Sequence, residues 1–216
     1  MVDDFEGIRT AFSLGVGHNV DWDVAIARRG ITVHQFDHTV VEPPRSHPGC
    51  HFHKRRISEV KEDDAETLES IFDLAATCEP ASALLKMDIE NTEWPAFAAA
   101  PEHVLDRFSQ ILCEFHAFEF FADDVLYRHA AAAITKLRRQ FDVVHVHGNN
   151  VADWTFIDGA PLPFVIEVAL VNRRRVRTVP NDTETFPTRL DRPNDWRKAD
   201  YFLGRYEFPS PDDAAR

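Results

Sequence analysis

Two glycines and an acid open the chemistry of this chain. Gly15 and Gly17 end the apolar run Thr-Ala-Phe-Ser-Leu-Gly-Val-Gly (10–17), and Asp37 follows Gly17 by twenty residues. Backbone without a Cβ lets a ligand approach closely. An acid at that distance, just past a second strand, can accept hydrogen bonds from both hydroxyls of a ribose. Together they point to a nucleoside-bearing cofactor, with Asn19 at the start of the next element beside it. The third glycine of the dinucleotide fingerprint is absent, which weighs against NAD and tolerates a cofactor without a pyrophosphate. A tight turn and a helix-capping acid would show the same residues.

The segment Leu84-Leu-Lys-Met-Asp88-Ile-Glu90-Asn-Thr-Glu93-Trp94 carries the densest chemistry. A strand runs straight into three acids, which cannot all be buried without partners. At a strand's carboxyl end they can bind a cationic cofactor, a metal or substrate hydroxyls; a solvated loop with one capping acid is the plainer alternative. His51-Phe-His53 and His145-Val-His147 each put two rings on one face of a strand, because side chains alternate. Two imidazoles with Asp88 or Glu114 can hold a divalent ion. Histidines bonded to backbone or carboxylate explain the same pattern, so a metal, including one held by His116 or His147 with Asp88, is possible but not favoured. Asn149 and Asn150 can orient a substrate hydroxyl or make a turn.

These residues need elements to position them. The predicted strands are 10–17, 31–36, 50–54, 82–89, 111–115, 141–147 and 164–171. The predicted helices are 22–29, 65–77, about 101–108 and 121–140, with Ala130, Ile134 and Leu137 as the buried face of the last. Strand alternates with helix, so the class is α/β, with a mainly parallel sheet covered on both faces. The last two strands lack a helix between them and should pair antiparallel. Ligands in such sheets sit at the strands' carboxyl ends, where Gly15–Asn19, Asp37, Asp88–Glu93, Glu114–His116 and His147–Asn150 all fall. Residues 176–216 read as an irregular extension of the 1–175 domain.

Composition narrows the function. The chain has 216 residues, with 24 Lys+Arg against 36 Asp+Glu and a net charge of −12. That balance argues against binding nucleic acid or an anionic membrane surface. Three scattered cysteines without a CxxC suit a reducing, cytoplasmic compartment. The acidic N-terminus has no apolar signal region, and no apolar run is long enough to cross a membrane. Oligomeric state leaves no mark in the sequence.

In order along the chain stand Phe12-Ser-Leu-Gly-Val-Gly17, Val33-His-Gln-Phe-Asp37, Leu85-Lys-Met-Asp-Ile-Glu-Asn-Thr-Glu-Trp94, Gln110-Ile-Leu-Cys-Glu-Phe-His116, His145-Val-His-Gly-Asn-Asn150 and Pro163-Phe-Val-Ile-Glu-Val168. Over about residues 10 to 172 this resembles the FkbM-type and related S-adenosylmethionine-dependent (class I) methyltransferases. The pattern's usual Glu-Gly-x-Glu is here Glu90-Asn91-Thr92-Glu93, and little chain precedes the first strand. The resemblance implies a Rossmann-like, seven-stranded, mostly parallel sheet with a C-terminal antiparallel hairpin. It implies methyl transfer, most often to a hydroxyl oxygen, here on a sugar or small metabolite. Gly15 and Gly17 would approach the methionine part, Asp37 the ribose, and Asp88 the amino-acid end or the reacting methyl. The donor is already activated, so the protein must align an oxygen and remove its proton. A histidine is suited to that, and His116 and His147 are the candidates. Glu90, Glu93, Glu114, Asn149 and Asn150 are the expected substrate contacts. A binding or scaffold protein that kept the fold is the alternative, and a nucleotide- or NAD-binding oxidoreductase a third reading.

Overall fold

The computed structural model describes residues 1–75, 79–181 and 183–205. Strands β1 (Thr10–Leu14), β2 (Thr32–Phe36) and β3 (Cys50–His53) come first, with helix α1 (Asp21–Ala27) between β1 and β2. Two short strands follow, β4 (Arg56–Ile57) and β5 (Ala65–Glu66), then β6 (Ala83–Met87), α2 (Glu93–Ala99), α3 (Glu102–Leu105) and β7 (Phe108–Phe115). The chain closes with α4 (Asp124–Gln140), β8 (Phe141–Gly148), β9 (Trp154–Ile157), β10 (Ala160–Pro163) and β11 (Ile166–Asn172).

Seven strands form one sheet in the order β3-β2-β1-β6-β7-β11-β8. The pairs β1–β2, β2–β3, β1–β6 and β6–β7 are parallel. β11 runs antiparallel between β7 and β8. A mostly parallel sheet whose last strands form an antiparallel pair was the expectation. The chain leaves β1 in one direction for β2 and β3 and crosses back for β6, so the strand order reverses at β1/β6. That reversal opens a crevice at the carboxyl ends.

The core is apolar on both faces of this sheet. Phe12, Leu14, Phe36, Leu85, Met87, Ile111 and Phe115 pack on one side with Trp94, Phe97 and Leu137 from the helices. Ala11, Val33 and Leu84 pack on the other with Ile26 and Ala27 of α1. Side-chain alternation produces the split. The N-terminal segment docks beside β7, where Gln110 Oε1 accepts from the Val2 amide at 2.8 Å.

Several expectations change in the structure. Residues 65–75 are not a helix: Leu68, Ile71 and Phe72 are buried, but only a 3₁₀ turn, Ser70–Leu74, follows β5. The last two positions of the helix expected over 65–77, Ala76 and Thr77, lie outside the described residues. The helix expected near 101–108 shrinks to the four residues of α3. α2 is an addition to the predicted helices; its Pro95 sits in the first helical turn, where the missing N–H costs no bond. Ile134 is 40 % exposed, unlike Ala130 and Leu137. The extension is irregular but docked: Phe186 is buried and packs edge-on to His145. Arg173, Arg174 and Arg175 pair with Asp142, Asp106 and Asp4, tying the end of β11 to its neighbours. Among the described residues no helix is long and apolar enough to cross a membrane.

Candidate active site

β1 ends at Leu14 and the chain turns through Gly15 (φ +83°) and Gly17 (φ +53°). Only at Gly15 is the missing Cβ a packing necessity. A Cβ there would stand 1.7 Å from the Asp88 carbonyl oxygen, because the Asp88 amide continues the ladder to Leu14 at 2.8 Å. The glycine turn and the acidic segment are therefore in backbone contact. Between them opens a cleft of about 630 Å³, lined by Gly15, Gly17, Asn19, Asp37, Asp88 and Glu90, among others. That volume lies within the roughly 300–1,000 Å³ of small-molecule sites.

Asp37, at the end of β2, holds this turn in shape. Its Oδ2 accepts from the amides of Val16 (2.9 Å) and Gly17 (3.0 Å). Its Oδ1 accepts from the Thr39 amide and hydroxyl, both at 2.7 Å. Burial raises the carboxyl's pKa, but these donors outweigh it and bring the pKa down to about 2. All four lone-pair positions are used, so a ligand hydroxyl bonds Asp37 only by displacing one of these donors. Thr39, Arg55, Arg56 and Lys86 also line the cleft, and none was singled out in the sequence. Lys86 Nζ donates to the Gly15 carbonyl at 2.7 Å and braces the turn from β6.

After β6 the chain passes through Glu90 (φ +54°) and Asn91 (φ +80°), both left-handed. Asn tolerates that region better than other residues with a Cβ, so Asn91 adopts a backbone conformation that favours glycine. Glu93 starts α2 and is wholly buried. Its Oε1 accepts from the Ile89 amide at 2.9 Å and from His116 Nδ1 at 3.0 Å. It was expected to touch substrate; instead it stands behind His116. Trp94 Nε1 donates to the His116 carbonyl at 2.7 Å, and its ring stacks on Phe115. α2 thus fixes both ends of His116.

His116 Nε2 points at Glu90 Oε2, 3.5 Å away, and Asp88 Oδ1, 3.9 Å away. Burial lowers the His116 pKa, but the Glu93 hydrogen bond and the charges of Glu93, Glu114 and Glu90 outweigh it and raise the pKa to about 9. An imidazolium has no lone pair to offer, so His116 in this state is no ready base at neutral pH.

Glu114, Glu167 and His147 lie in one cross-strand row over β7, β11 and β8. Burial raises the Glu114 pKa to about 7 against a hydrogen bond from Asn149, with Asp88 adding to the rise; Asn149 Nδ2 lies 2.6 Å from Glu114 Oε1. His147 bonds to Glu167 through Nδ1 and to Asp200 through Nε2. The Glu167 bond, opposed by burial and joined by Asp200, raises its pKa to about 9. With both nitrogens engaged and the ring 3 % exposed, His147 holds the extension to the sheet. Asn150 does the same: it is fully buried, accepts from the Asp195 amide and donates to the Asp195 and Ala199 carbonyls. Of the residues expected at the site, Glu93, Glu114, His116, His147, Asn149 and Asn150 are not among those that line the cleft.

The other histidine pair forms a ladder at the β3 edge. His34 stacks near His53 and packs against His51. Burial, then His53 and His51, bring the His34 pKa down to about 4. Among the described residues one group has metal-ligating spacing, Asp88, Glu90 and His116, and it excludes this ladder.

No protein-family model matches the sequence, and no curated protein matches it. Solved structures do. A TehB-like SAM-dependent methyltransferase from Corynebacterium glutamicum aligns over 76 % of this chain and 80 % of that one, at 11 % identity and TM-score 0.41. A predicted O-methyltransferase from Agrobacterium tumefaciens aligns over 80 % and 77 %, at 11 % identity and TM-score 0.38. A 16S rRNA (adenine(1408)-N(1))-methyltransferase mutant from Catenulisporales acidiphilia aligns over 76 % and 87 %, at 12 % identity and TM-score 0.36.

Proposed function

We propose that this chain is an S-adenosylmethionine-dependent methyltransferase of FkbM-like type that methylates a hydroxyl oxygen on a sugar or small metabolite. The observation that carries the reading is the glycine turn: its backbone forms one wall of a cleft whose other wall is acidic, and Gly15 has no room for a side chain. The residues suit this cofactor. At the ribose position Asp37 Oδ1 exchanges the Thr39 hydroxyl for a ribose hydroxyl. Val16, Ile57 and Ile89 offer apolar surface in the same cleft. Asp88 and Glu90 put negative charge where a sulfonium and an ammonium belong.

When bound, the cofactor supplies a methyl group already activated on sulfur. The protein's work is then alignment and proton removal. Gly15 and Gly17 let the backbone approach, and Asp37 keeps the Val16 and Gly17 amides oriented. Asp88, half-buried and facing the cleft, accepts the acceptor hydroxyl's hydrogen bond and takes its proton. Glu90 adds a second carboxylate at the mouth. Glu114 and Asn149, bonded to each other within reach of the Asp88 charge, meet the hydroxyls of a sugar that extends beyond the cleft. His147 and Asn150 act at a distance by clamping the extension.

The test is calorimetric titration with S-adenosylmethionine and, separately, NAD. Micromolar binding of the first and none of the second supports the reading. Tight NAD binding would return the oxidoreductase reading. Binding of neither at millimolar concentration would leave the scaffold reading.

A further inference from the structure

Four observations around His116 converge. Its side chain is nine-tenths buried, and among the described residues its Nε2 makes no hydrogen bond. The nearest groups are Glu90 Oε2 at 3.5 Å and Asp88 Oδ1 at 3.9 Å. Asp88 Oδ1 is itself buried from solvent and without a hydrogen-bond partner. Behind the ring, the wholly buried Glu93 accepts from Nδ1, and its own carboxylate is fixed by the Ile89 amide. A carboxylate behind a histidine fixes the ring with its far nitrogen outward, the arrangement that supports metal-bound imidazoles, and an ion entering there displaces the Nε2 proton.

We infer that Asp88, Glu90 and His116 form a divalent-cation site at the acidic wall of the cleft, with Glu93 as its positioning residue. Metal–ligand bonds of about 2.1 Å put neighbouring ligands about 3 Å apart and opposite ones about 4.2 Å apart. The three ligand atoms lie within 4.8 Å of one another, and small rotations of Asp88 and the exposed Glu90 suffice to close the set. One imidazole with two carboxylates suits Mn²⁺, Fe²⁺, Co²⁺ or Zn²⁺. Asp88 and Glu90 line the cleft, so an ion held by them stands at its acidic wall. A cation there binds a hydroxyl oxygen and eases loss of its proton. That role rests on the methyl-transfer reading; the binding of the ion does not.

The probe is Mn²⁺ alone, followed by electron paramagnetic resonance on the full chain without nucleoside. The expected result is one bound Mn²⁺ per chain, weakened at least 10-fold in Glu90→Gln. Glu90 is exposed, so that variant folds. Glu93→Gln should weaken binding 10- to 100-fold with unchanged circular dichroism. Mn²⁺ should also broaden the Ile89 and Asn91 amide resonances. No binding at millimolar Mn²⁺, or binding that Glu90→Gln and Glu93→Gln leave unchanged, overturns the site. A parallel titration with S-adenosylhomocysteine in chelator tells loss of the ion apart from failure of the methyl-transfer reading.

Discussion

Replacing Gly15 with alanine should do far more damage than the same change at Gly17. Both have positive φ, which costs a residue with a Cβ about 1–2 kcal/mol. At Gly17 nothing lies within 4 Å of the new methyl, so the cost ends there. At Gly15 the methyl would sit 1.7 Å from the Asp88 carbonyl oxygen and 2.7 Å from its carbon. Side-chain rotation cannot relieve an overlap with backbone. Asp88 must move by more than about 1 Å to restore an ordinary contact, which strains its 2.8 Å bond to Leu14 at the end of the β1–β6 ladder. A lost hydrogen bond adds about 1 kcal/mol and overpacking about 1–3 kcal/mol. The total for Gly15→Ala is about 3–6 kcal/mol, against about 1–2 kcal/mol for Gly17→Ala. Urea unfolding of the two variants and the parent, compared at matched m values, measures the difference. Equal stability of the two variants would refute the claim that the turn and the Asp88 backbone are locked together.

Asp37→Asn should weaken both the turn and nucleoside binding, measured by thermal unfolding with and without S-adenosylhomocysteine. Because folding depresses the Asp37 carboxyl to about 2, its contribution is fully present above about pH 4 and lost as pH falls through 2; the asparagine variant should show a flatter acid limb. His147 shifts the other way, up to about 9. Its contribution is complete below about pH 6.5 and fades as pH rises through 9, so His147→Gln should flatten that alkaline slope in pH-dependent urea unfolding. Asn150→Ala removes three hydrogen bonds to 195–199 and should cost about 1–3 kcal/mol, with new proteolytic cleavage between 176 and 205 as the readout.

The strands were legible where apolar runs ended in glycine or acid, and the cleft's outline followed from them through Gly15, Asp37 and Asp88. The hairpin of β9 and β10 was missed although its signal was present. Asp158 and Gly159 both have positive φ between two extended segments, the usual Asp-Gly turn, but Pro161 and Pro163 obscured the second strand. What the sequence could not show was which acids are buried. Glu93 and Glu90 are three residues apart and alike in type, yet one lies inside behind His116 and the other faces solvent. That outcome depends on α2 packing against β7, which brings Glu93 to His116 across more than twenty intervening positions. Asp37 is a similar case: its position was readable, while its four hydrogen bonds depend on the folded path of Val16, Gly17 and Thr39.

The central claim is that a nucleoside cofactor lies against the turn at Gly15. Backbone amide resonances followed during titration with S-adenosylhomocysteine test it directly. The account predicts saturable shifts at Gly15, Val16, Gly17 and Thr39, with Asn150 and the β8 edge unmoved. Shifts confined to other surfaces, or none at millimolar ligand, would contradict it.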